Sequence, residues 1–125
     1  SIYCGKHDMT YSVVQVLRLA EMYLIRAEAN FRAGGAPVGG VDAVDDINTI
    51  RDRAGLGPIG SGDLTLEDIY LERKHELSFE GQKLHDAKRF EKSILGIPWN
   101  SPTLVFPIPN REIKVNNKLT QNEGY

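Results

Sequence analysis

Residues 72–90, ERKHELSFEGQKLHDAKRF, bring His75, Glu76, Glu80, His85 and Asp86 within a dozen positions. These residue types can hold a metal, exchange protons with a substrate, or neutralise neighbouring charges. Spacing separates the three. On a helical wheel of about 100° per residue, Leu66, Ile69, Leu77, Leu84 and Ala87 share one face, and Arg73 and Glu80 fall on that same face. Glu76 sits at its margin and His75 points away. His85 lies ten residues beyond His75, about 15 Å along a helix axis, whereas two imidazoles on one zinc each sit about 2 Å from it. A zinc-protease helix would need histidine where Phe79 stands. No metal ligand is assigned.

Glu76 and Glu80, four residues apart, have the composition of a catalytic carboxylate pair. Glycosidase pairs line a cleft from separate elements, and here Arg73 stands beside both. A charge on an apolar face costs several kcal/mol unless it is paired. Arg73, Glu76 and Glu80 therefore read as a structural polar cluster in which the charges satisfy one another or the backbone of the C-terminal tail. No nucleophile, cofactor loop or catalytic residue is assigned, and the chain does not read as an enzyme. Asp42, Asp45 and Asp46 lack calcium-loop spacing and suit a helix N-terminus. Trp99, in the proline-bounded IPWNSP, is the one candidate glycan contact, since an indole face can stack on a sugar; the alternative is a packing anchor.

The elements that must position these residues are helical. Over about 16–33, Leu17, Ala20, Leu24, Ala27 and Phe31 alternate by three and four, and Gly34 and Gly35 follow. Leu19, Met22, Tyr23 and Ile25 add apolar surface on other sides, which predicts a helix contacted from more than one direction. A second helix over about 42–54 carries Val44, Ile47, Ile50 and Ala54 and stops at Gly55. The short turn between the two predicts antiparallel packing. A long third helix is expected over about 65–90, started by Thr65 with Asp68 in the position of a capping box and weakened at Gly81 by about 1 kcal/mol. Four of the six prolines fall within 98–109, which excludes a helix there. The stretch 98–125 is expected as an extended, Pro/Asn-rich irregular tail packed on the helices.

These 125 residues suit one all-α domain, 1–125, built from a tetratricopeptide-like hairpin, the long third helix and the tail. A net charge of −2 and a pI near 5.9 argue against nucleic acid as a partner. No run approaches the roughly 20 apolar residues of a membrane span. A single cysteine, Cys4, forms no internal disulfide, and no hydrophobic leader precedes it to suggest lipidation.

Four phrases in order, LRLAEMYLIRAEA (17–29), INTIRDRAGL (47–56), ERKHELSFEGQKLHDAKR (72–89) and FPIPNREIKVNNKLTQNEGY (106–125), resemble the C-terminal part of SusD/RagB proteins. Lys83, Leu84, Asn117 and Glu123 depart from the usual residues. The resemblance implies a fragment of a several-fold longer, non-catalytic, nutrient-binding lipoprotein on the extracellular face of the outer membrane. It implies an N-terminal lipid anchor outside this chain, a SusC-like TonB-dependent transporter as partner, and an oligosaccharide as cargo. It implies no cofactor. The family's ligand platform lies largely upstream of the matched region, so this segment is expected to be mainly scaffold. The other reading is a tetratricopeptide-like protein-interaction module without carbohydrate binding; the terminal phrase favours the first.

Overall fold

A computed structural model describes Gly5 and residues 16–125; Cys4 lies outside the described residues. Among the latter the regular elements are helices: α1 (Leu19–Ala33), α2 (Ala43–Arg53), α3 (Leu66–Glu76), α4 (Lys83–Arg89) and α5 (Asn110–Val115), with single 3₁₀ turns at Val38–Gly40 and Pro102–Leu104. No described helix is long and apolar enough to cross a membrane. The chain divides into two compact units, Ser1–Lys83 and Leu84–Tyr125.

In the first unit, α1 packs against both α2 and α3. Ala20, Leu24 and Ala27 supply its buried stripe and meet a core that also holds Val44, Ile47, Ile50, Ile69 and Leu77. Leu24, Ile47 and Ile69 have no exposed surface, and each such side chain contributes about 1.5–3 kcal/mol of apolar burial. The expected stripe is shortened at both ends: Leu17 precedes the helix and is 77% exposed, and Phe31 is 37% exposed. Glu28 and Asn30 are buried on α1 instead. Three charge contacts fix the direction of the pair. Arg26, midway along α1, bonds Asp46 in the first turn of α2, while Arg18, just before α1, and Arg53, the last residue of α2, both bond Glu76. The start of α1 thus lies near the end of α2, the antiparallel arrangement that the short connection predicts.

Helix ends follow local chemistry. Gly34 ends α1 in the left-handed conformation, its N–H donating to Asn30 O. After α2, Gly55 N donates to Asp52 O at 2.9 Å and Leu56 N to Arg51 O at 2.8 Å, a Schellman motif that requires Gly55 at φ +72°. Thr65 opens α3 with a full capping box: its hydroxyl accepts from Asp68 N at 3.2 Å, and the Asp68 carboxylate accepts from Thr65 N at 2.9 Å. Asp42 takes the N-cap position of α2 without a side-chain cap bond.

The expected helix over 65–90 is not continuous. α3 ends at Glu76, and the chain turns through 77–82 before α4 begins at Lys83. Two residues in that turn stand at positive φ, Phe79 at +66° and Gly81 at +80°. No right-handed helix runs through such angles. Gly81 is thus part of a break where the apolar periodicity suggested only a weak point.

The second unit holds α4, a tight hairpin turn and the chain from Trp99 to Tyr125. Ile94 and Ile97 exchange two backbone hydrogen bonds of 2.9 Å around Leu95 and Gly96, at φ +51° and +83°, the signs of a type I′ turn. The tail is not wholly extended either: Pro109 sets up α5, six residues immediately beyond the proline cluster.

Candidate functional site

Two places carry the residues singled out for chemistry, the polar cluster of the first unit and the loop around Trp99 in the second. The cluster is assembled from three elements. Arg18 stands at the N-cap of α1 with extended backbone, φ −127° and ψ 137°. Its guanidinium reaches both glutamates: Nη2 donates to Glu76 Oε1 at 2.5 Å, and Nη1 donates to Glu80 Oε1 and to the Glu76 backbone carbonyl at 3.3 Å. Arg53, at the end of α2, donates through Nη2 to Glu76 Oε2. Each oxygen of Glu76 therefore accepts from a different arginine. Arg73, on α3, is 2% exposed.

A guanidinium offers donors and no acceptor, so an arginine is an anchor for a carboxylate and not a proton relay. Glu76 and Glu80 are oriented toward such anchors, and two positive and two negative charges balance across Arg18, Arg53, Glu76 and Glu80. The same pattern repeats beside it. Glu72 is buried and accepts from Arg51 Nη1 at 3.2 Å, while Arg51 Nε donates to Gly57 O at 2.9 Å, tying α2, α3 and the loop between them. Asp46, 1% exposed, accepts from Arg26 Nε at 2.8 Å and Nη2 at 2.6 Å in a two-pronged pair. That hydrogen bond, opposed by desolvation, raises the Arg26 guanidinium above its ordinary pKa.

His75 and His85 are both exposed. No group of three histidine, cysteine, aspartate or glutamate side chains among the described residues is placed to hold a metal ion. Asp86 is buried, 4% exposed, and accepts from Arg89 Nη2 at 2.8 Å.

Trp99 follows the Ile94–Ile97 turn and is 36% exposed. Ser101 N closes its loop onto Pro98 O at 3.0 Å. Asn100 is exposed beside it, while the Ser101 hydroxyl lies 2.9 Å from that of Thr103. The loop thus presents one aromatic face and one free side-chain amide.

Sequence reasoning missed a device that recurs three times: a side-chain amide that stands in for a strand partner. Asn48 exchanges hydrogen bonds with both backbone groups of Ile59, at 2.8 and 2.9 Å. Asn30 accepts from Val38 N at 2.9 Å and donates to Val41 O at 3.0 Å. Gln121 accepts from Ile108 N at 2.8 Å and donates to Ile108 O at 2.9 Å. In the terminal QNEGY, Asn122 Nδ2 also donates to Phe106 O at 2.7 Å and Tyr125 Oη to Val105 O at 2.9 Å. The terminal phrase is a side-chain zipper on 105–108. Its one sequence signal was an amide pair ahead of Gly-Tyr.

Comparison with known proteins places this architecture. The SusD family profile matches residues 7–101. The starch-binding protein SusD of Bacteroides thetaiotaomicron is 34% identical, over 90% of this chain and 21% of its own length. SusD-like protein P2 of Formosa agariphila is 32% identical, over 87% of this chain and 25% of its own. The crystal structure of a SusD superfamily protein from Bacteroides vulgatus aligns with a TM-score of 0.74 and 32% identity, over 88% of this chain and 27% of that one. A SusD-like protein from Bacteroides fragilis aligns with a TM-score of 0.69 and 31% identity, over 87% and 25% of the two chains. The 125 residues thus span about a quarter of the length of these relatives.

Proposed function

The chain belongs to the SusD family, and from that premise we propose that it is the scaffold segment of a non-catalytic glycan-capture protein. The observation that carries this is the 34% identity to a starch-binding protein over nine-tenths of the chain. The chemistry of the polar cluster supports it. Each of Glu72, Glu76 and Glu80 is bonded by an arginine from another element, which is how a fold uses carboxylates to lock helices rather than to turn over substrate.

In this reading the longer protein sits on the extracellular face of the outer membrane, held by an N-terminal lipid outside these residues. It delivers oligosaccharide to a SusC-like TonB-dependent transporter. Most sugar contacts come from parts of the protein outside this segment, because a sugar site needs several aromatic faces and fixed polar groups. The loop of Trp99 and Asn100 offers one aromatic face and one side-chain amide, and a single stacking contact is worth about 1 kcal/mol, against about 4.1 kcal/mol for a millimolar complex.

Isothermal titration with a panel of oligosaccharides tests this, with circular dichroism confirming that each sample is folded. The full-length protein is expected to bind at least one sugar while the segment gives no heat. A segment that binds as tightly as the full-length protein, and loses binding on Trp99→Ala, would move the site onto Trp99 and overturn the scaffold assignment.

A further inference from the structure

We draw no further inference here: the strongest candidate, the exposed apolar surface of the second unit at Leu95 in its tight turn and Phe106 in its tail, 89% and 87% exposed, carries no proposal because nothing in the structure shows what covers it.

Discussion

Asn48, midway along α2, and Ile59, eleven residues later in the loop, are joined as two residues of paired strands would be: Ile59 N donates to Asn48 Oδ1 at 2.8 Å and Asn48 Nδ2 donates to Ile59 O at 2.9 Å. The link 55–64 has few apolar anchors, with Leu56 49% exposed, so this amide holds its middle. Aspartate at 48 has the same shape but no N–H to give, and sets a carboxylate against the Ile59 carbonyl. Asn48→Asp is expected to cost about 1–3 kcal/mol in urea unfolding, the range for stranding a part-buried acceptor. A change within about 0.5 kcal/mol would show that the loop is held elsewhere.

Glu76 joins α3 to both Arg18 and Arg53. Its side chain is 10% exposed, so solvent replaces the lost partners only in part. Glu76→Ala is expected to cost about 1.5–3 kcal/mol, as for hydrogen bonds to charged groups, and more than Arg53→Ala, whose side chain is 58% exposed. Equal losses would make the outer contact as important as the inner one. A double-mutant cycle between Arg18 and Glu80 isolates that second contact from their other partners.

Local signals were legible and long-range ones were not. Thr65 and Asp68 sit three apart and cap α3 as their spacing indicates; Ala20, Leu24 and Ala27 are buried as their periodicity indicates. The Asx and Gln clamps join residues from eight to thirteen apart through a side-chain amide, and no local pattern distinguishes such an asparagine from a solvated one. The turn after α3 was hidden because Phe79 at φ +66° violates its own residue preference. Glu76 and Glu80 are legible as charges in need of partners, but no local pattern points to Arg18, 58 residues from Glu76 and just before α1.

The capping box of α3 predicts an acid sensitivity. Hydrogen bonds from the Thr65 hydroxyl and then the Thr65 N–H, against a small desolvation, hold the Asp68 carboxyl below its ordinary value of 3.8. A carboxyl with a depressed folded pKa contributes stability above its unfolded value that is lost as pH falls through the folded one. Asp68→Asn is therefore expected to be less stable than the parent by a constant amount from about pH 5 to 8, with the gap closing below about pH 4. Urea midpoints across that range measure it; a gap that persists at pH 2 would mean that the ionised carboxylate contributes nothing to the cap.

Glu91 ends α4 at φ +56°, with Lys92 N donating to Ala87 O at 2.8 Å and Glu91 N to Lys88 O at 3.3 Å. This is the Schellman arrangement again, but with glutamate where Gly55 serves α2. Leu95, 89% exposed at φ +51°, likewise fills a turn position that suits asparagine. Neither side chain is required by its backbone bonds, and the left-handed conformation strains both, by about 1–2 kcal/mol. Glycine gives part of this back through the freedom it adds to the unfolded chain. Glu91→Gly and Leu95→Asn are each expected to stabilise the second unit, by about 0.5–1 kcal/mol, read as an increased protection of its amides from hydrogen exchange. The gains should add, because each substitution relieves its own turn. Loss of protection in Leu95→Asn would show that Leu95 is kept for a contact its strain supports, and would make that exposed side chain the next place to look for a partner.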